Sequence, residues 1–305
     1  MFKNIFINKN SQPRAGWKIA IVFIFFILFT FIAQIVAGGV YIAIQALYYP
    51  DSLKTASDLS KSFNLNSPLG FIATLLQCAS MILSIVIFWR KFDKKPLRDI
   101  GLINLKDGFK DLIIGLILGA VTLAIVFFIL LVTGNIKLID PLNRPNFNIS
   151  ALTGLILFIF VGINEEMFAR GYCFTVLKQS TNKFIALIVS SIIFAAMHSL
   201  NSGISFLSYI NLFLFALLAM YMTIKSGNLW LSIGLHITWN YFEGNVFGFL
   251  VSGNEANGIY NVRNTADNII NGGQFGPEGG LIVTLVLILS FLFIWKFYKG
   301  KMIYD

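Results

Sequence analysis

Apolar residues along this chain come in runs about as long as a bilayer crossing, separated by short polar stretches. The first covers about residues 17–49, too long for a signal-peptide core. Ala37-Gly38-Gly39 is only a weak cleavage signal, so the run reads as a retained span with an interfacial extension. Further runs cover about 68–89, 112–132, 150–176, 183–200, 204–224, 229–251 and 280–297. The pattern predicts an all-α, polytopic bundle of about eight transmembrane helices. No internal repeat and no long soluble segment interrupts it, so residues 1–305 are expected to form one membrane domain.

Composition supports that reading and removes others. Hydrophobic residues make up 57% of the chain and charged residues 12%, where a soluble domain carries about 25% charge. Mean hydropathy is +0.77. Too little polar surface remains for a soluble enzyme, and too much apolar surface for a disordered chain. Cys78 and Cys173 both lie in apolar runs, so no disulfide framework is implied.

The excess of cations, net +9, reads as a topology signal, and no nucleic-acid partner is expected. Arg90, Lys91, Lys94, Lys95 and Arg98 follow the second run; Lys178 and Lys183 flank the turn between the fourth and fifth; Lys225 follows the sixth. Lys3, Lys9, Arg14 and Lys18 in the first tail, and Lys296, Lys299 and Lys301 in the last, fall on the same side if there are eight spans. The opposite loops are mixed or acidic, with Asp51, Lys54, Asp58 and Lys61 in one and Glu255, Arg263, Asp267 and Glu278 in another. Both termini are therefore expected in the cytoplasm, with the protein integral to the cell membrane and multi-pass.

Inside the runs the chain carries groups a bilayer rejects. Its two histidines, His198 and His236, lie within predicted spans, and so do the adjacent Glu165 and Glu166. Each ionisable group costs roughly 2.5–3.5 kcal/mol at a span centre. At ~1.5 Å per residue, Glu165 stands roughly 20 Å above Lys178, His198 roughly 22 Å above Lys183 and His236 roughly 17 Å above Lys225. Three helices deliver polar groups to one level.

Spacing suggests roles. Glu166 and Arg170, four apart with the acid first, suit a helical ion pair. Glu165, turned about 100° away, is left to face the interior as a general base. Phe194 is placed to pack against His198, and Asn240 shares a helix face with His236. Such a set suits peptide hydrolysis: a carboxylate and an imidazole deprotonate water, while an amide and a second imidazole stabilise the oxyanion. Alternatively Glu165, His198 and His236 could ligate zinc while the other glutamate serves as base; zinc remains a possible cofactor.

Three segments carry a resemblance: Asn164-Glu165-Glu166-Met167-Phe168-Ala169-Arg170, Phe194-Ala195-Ala196-Met197-His198 and His236-Ile237-Thr238-Trp239-Asn240. In order and on membrane helices, they resemble the signature motifs of the CPBP family, which comprises the type II CAAX prenyl endopeptidases and their bacterial relatives, once described as bacteriocin-processing or immunity (Abi-like) proteins. The family-like core covers about residues 150–248. The resemblance implies an intramembrane endopeptidase with an eight-helix fold and a cavity opening to membrane and cytoplasm. It implies that Glu165 and His198 activate water, that His236 and Asn240 stabilise the oxyanion, and that Glu166, Arg170 and Phe194 support the site, in a glutamate-dependent mechanism. The expected partners are the lipid bilayer and a membrane-associated peptide or lipoprotein substrate.

Other classes use similar residues. Intramembrane Glu, His and Arg also mark proton- or ion-coupled transporters, although neither broken spans nor matching halves are visible. A non-catalytic membrane scaffold or immunity protein is a third reading. Individual residues also have plainer uses. Glu166 with Arg170 could be structural glue, Asn240 could join helices, and Gln34, Gln77 and Asn211 are expected to hydrogen-bond between helices. Glu243 is expected at a wet, loop-proximal position, and the glycines around Gly272–Gly279 in a connector.

Overall fold

The computed structural model describes residues 6–7, 13–48 and 67–299. Lys3, Lys9, Tyr49, Asp51, Lys54, Asp58, Lys61 and Lys301, which entered the span and charge readings, lie outside the described residues.

Eight helices account for the apolar runs. They are α1 (Ala15–Tyr48), α2 (Pro68–Phe92), α3 (Leu105–Val132), α4 (Ile149–Lys178), α5 (Lys183–Met197), α6 (Phe206–Ser226), α7 (Trp230–Tyr241) and α8 (Leu281–Phe297). Among the described residues five helices, α1 to α4 and α6, are long and apolar enough to cross a membrane, while α5 and α8 are shorter apolar helices. The bundle is an all-α membrane fold.

Polar residues between the runs set the starts. Ser67 accepts the Gly70 N–H, with Pro68 just inside α2, an arrangement that satisfies one orphan donor and presets φ. Asn148 caps α4 through the Ser150 N–H, and Asn182 caps α5 through Ile185. Ser205 and Ser208 form a reciprocal capping box on α6, and that helix ends at Gly227 with φ +74°.

Two boundaries differ from the runs. α3 begins seven residues before the apolar run, because the run ignores the interfacial turn of Lys106, Asp107, Lys110 and Asp111. α7 ends sooner than the run to Val251: the chain passes through one π-helical turn, Phe242–Val246, then reverses at Gly248 with φ +66°. Two short strands, β1 (Ile136–Leu138) and β2 (Val262–Asn264), pair antiparallel at the same end of the bundle; three-residue strands leave no readable alternation.

The inner helix is α7. Leu231–Ile237, Trp239 and Asn240 are all buried, enclosed by α3, α4 and α6. Glycine allows the approach to α3: a Cβ on Gly234 would lie 2.4 Å from the Leu112 carbonyl oxygen, and one on Gly115 would lie 2.2 Å from that of Leu231. At the other extreme α1 buries only Ala15, Val22 and Gly38 and exposes large apolar side chains along its length. Such exposure suits a lipid-facing helix.

Candidate active site

Helix α4 changes pitch at its charged residues. Ile149–Glu166 is α-helical, Met167–Cys173 is π-helical, and Phe174–Lys178 returns to α. π-Helical segments recur at functional sites because the wider turn re-aims side chains. Here the change follows directly on Glu165 and Glu166.

The two carboxylates face different surroundings. Glu166 is fully buried, and its Oε1 lies 3.1 Å from Arg170 Nη1. The contact is an ion pair without hydrogen-bond angles, since no guanidinium nitrogen finds a geometric hydrogen-bond acceptor. Arg170 instead lies over the Phe194 ring, 4.1 Å from its centroid, a cation–π contact in a dry site. The same Glu166 Oε1 also accepts from His236 Nδ1 at 2.9 Å. Glu165 keeps a side chain 22% exposed, and its Oε2 lies 3.7 Å from His236 Nε2.

Proton positions follow from the partners. A carboxylate that only accepts requires the proton of His236 on Nδ1, so Nε2 is the atom turned to Glu165. His198 Nδ1 lies 3.0 Å from the Phe194 carbonyl oxygen, another pure acceptor. His198 therefore also carries its proton on Nδ1, and Nε2 keeps a lone pair. Phe194 packs beside both imidazoles, with centroids 5.0 Å from His198 and 6.1 Å from His236.

Glu165, His198, His236 and Asn240 all line one cavity of about 340 Å³, and the groups expected to converge do so. Asn240, one turn beyond His236, shares its face. Gln77 of α2 lines the cavity too, while Asn211 bonds the backbone of Glu278 and Gly280, as expected of an interhelical bonder. The mouth lies at the end of the bundle where Asn201, Asn254 and Glu255 stand.

Sequence reasoning missed three features. Glu166 orients His236 as well as pairing with Arg170; nothing in helical spacing reveals a bond between residues seventy positions apart. Glu278 lines the cavity, accepts from Trp239 Nε1 at 3.0 Å, and takes the Ser252 hydroxyl. Finally Glu243, expected in a wet loop-proximal position, is fully buried beside Glu278 with no hydrogen-bond partner of ordinary geometry. Its place in the π-helical turn after α7 carries it inward, where continued α-helix to a loop was assumed.

Among the described residues, no group of three or more His, Cys, Asp or Glu is arranged to hold a metal ion. His236 commits Nδ1 to Glu166 and His198 commits Nδ1 to a carbonyl, which leaves the Nε2 lone pair of each ring free. As placed, Glu165, His198 and His236 line one cavity without being clustered as a zinc ligand set.

Residues 147–242 match the Rce1-like family, described as type II CAAX prenyl endopeptidase Rce1-like. The matched stretch runs from the cap of α4 past the end of α7 and contains all three motifs. This segment is similar to the Rce1-like family. No curated protein matches the chain. The match supports a membrane protease of the CAAX type in general terms, and the apolar helices support a membrane protein. Ser252 and Glu278 come from outside the matched segment.

Proposed function

We propose that this protein is a multi-pass intramembrane endopeptidase of the cell membrane that cleaves membrane-associated peptides or lipoproteins. Both termini lie in the cytoplasm. The observation that carries the reading is the lining of one cavity by Glu165, His198, His236 and Asn240, from three helices, within the stretch that matches the protease family.

The chemistry follows from atoms already placed. Glu165 Oε2 and His236 Nε2 are 3.7 Å apart, a gap that one water bridges with ordinary hydrogen bonds near 2.8 Å. Glu165, helped by the Nε2 lone pair of His198, takes a proton from that water as its oxygen attacks the scissile carbonyl carbon. The negative oxygen of the tetrahedral intermediate receives hydrogen bonds from the Asn240 amide and from His236, whose Nε2 takes up a proton from solvent before the attack and keeps it throughout the cycle. Collapse breaks the C–N bond, the amine leaves with the proton held at Glu165 or His198, and a carboxylate remains. Glu166 and Arg170 hold His236 in register and touch no reacting atom.

The test is hydrolysis of a membrane-peptide library by purified protein. Glu165→Ala and His198→Ala are each expected to lower the rate by roughly 10²–10⁴-fold, the usual worth of a general base. Equal cleavage by wild type and variants, or substrate-driven ion flux without cleavage, overturns the proposal. Excess chelator is expected to leave the wild-type rate unchanged; a loss restored by added zinc assigns the metal a role.

A further inference from the structure

We infer that substrate reaches this site from the extracytoplasmic side of the membrane, so that the scissile segment belongs to the outward-facing part of a membrane-associated peptide. The inference rests on the hydrolase reading only for the word substrate; the direction of the opening stands on its own observations.

The first observation is where the lining comes from. Leu157, Phe158 and Val161 belong to the first half of α4, and Leu212 and Phe215 to the first half of α6. His198 closes α5 at its far end, and Thr74 and Gln77 sit in the first half of α2. Besides Glu165, Phe194, Met197, His236 and Asn240, the rest of the lining comes from connecting segments: Asn201, Val251, Ser252, Asn254, Glu255, Ala256 and Glu278. No described residue of the opposite end, neither in the α2–α3 connection nor in the α4–α5 and α6–α7 turns, reaches the cavity. Asn254 and Glu255 are both exposed and line it, so the cavity meets solvent at that end.

The second observation is charge. The end without an opening gathers Arg90, Lys91, Lys94, Lys95 and Arg98 around the α2–α3 connection, with Lys178 and Lys183 at the α4–α5 turn, Lys225 after α6, and Lys296 and Lys299 at α8. The open end has Lys137, Arg144 and Arg263 as its described cations. Short loops rich in Lys and Arg stay in the cytoplasm. The bias is strong and comes from every turn on that side, so it does not hinge on one loop. The mouth then faces outward, opposite to the cytoplasmic opening that the family resemblance implies.

Thiol accessibility tests this in intact cells, because the native Cys78 and Cys173 are buried and the parent chain supplies the background. Asn254→Cys and Glu255→Cys are placed at the mouth, and Lys91→Cys at the cationic end. A membrane-impermeant maleimide added outside is expected to label the first two at least ten-fold more than Lys91→Cys, with the difference vanishing once the cells are permeabilised. Labelling of Lys91→Cys alone before permeabilisation overturns the inference. Failure of both mouth positions to label in either state overturns it too, since the opening would then be closed.

A charged fluorogenic peptide too large to cross the bilayer forms the second arm. Cleavage by intact cells, lost with Glu165→Ala, supports outward access. Outward labelling without cleavage of any peptide upholds the direction while failing the hydrolase reading, and cleavage only in inverted vesicles overturns the direction while upholding hydrolysis.

Discussion

A fully buried carboxylate that serves two partners is the most exposed energetic point of this molecule. Glu166 Oε1 faces both Arg170 and His236. Removing it strands a buried guanidinium whose nitrogens find no other acceptor. Glu166→Ala is therefore expected to destabilise the protein by about 3–5 kcal/mol, the usual cost of breaking a buried pair from one side. Glu166→Gln combined with Arg170→Met, which removes both charges, is expected to cost clearly less. Thermal unfolding in detergent compares the two, and equal losses would show that the charges are not coupled. Glu243 gives the opposite sign: its buried carboxyl has no hydrogen bond of ordinary geometry and lies beside Glu278. Glu243→Gln should unfold at an equal or higher temperature, because an uncompensated buried charge costs more than a neutral amide; a lower one would reveal a counter-charge. These two residues also mark the limit of sequence reading. The i,i+4 pair of Glu166 and Arg170 was legible because helical spacing is local. The bond to His236 and the burial of Glu243 were not, because each depends on which helices become neighbours.

Helix boundaries followed from apolar runs and caps, since both are written within a few residues of where they act. What the runs could not show was the inner position of α7, a helix of twelve residues no more apolar than its neighbours. Its burial depends on glycines spread over two helices. Gly115 and Gly234 face one another so closely that a Cβ on either meets backbone atoms of the other helix, and backbone cannot swing aside as a flexible side chain does. α7 carries His236 and Asn240, so the spacing of α3 and α7 fixes where they stand. Gly234→Ala should push α7 outward, destabilising the fold by about 1–3 kcal/mol through overpacking. Hydrolysis should fall about 10²-fold, as expected for a misplacement near 1 Å. Gly39→Ala, in α1 with nothing within 4 Å of a new Cβ, is the control and should leave both measurements unchanged. Loss in both variants alike would show that neither close approach nor site geometry is involved.

At the scale of the whole molecule, net charge and local charge have opposite signs. The chain carries +9, yet the described cations crowd the closed end, while among the described residues the cavity is lined by Glu165, Glu255 and Glu278 and by no Lys or Arg. The charge asymmetry was readable from the loops, because topology depends on residues near span ends. The acidic character of the loop with Glu255 and Glu278 was readable too, but not their meeting at one cavity, because they lie far apart in a segment that follows no periodic pattern. A field of this kind acts on whatever approaches it and fades beyond a Debye length, about 8 Å at physiological ionic strength. Between two membrane peptides alike except for a Lys or a Glu near the scissile bond, the lysine peptide should be cleaved with the higher kcat/KM. The preference should shrink as salt rises from 0.05 to about 0.5 M, because an exposed charge is readily screened. Glu255→Gln removes the most exposed of the three carboxylates and touches none of the residues assigned to the chemistry. It should reduce the preference by no more than about five-fold, the ceiling for an exposed pair, while leaving kcat for a neutral peptide unchanged. A preference for the glutamate peptide, or one indifferent to both salt and Glu255→Gln, would mean that the mouth does not select by charge.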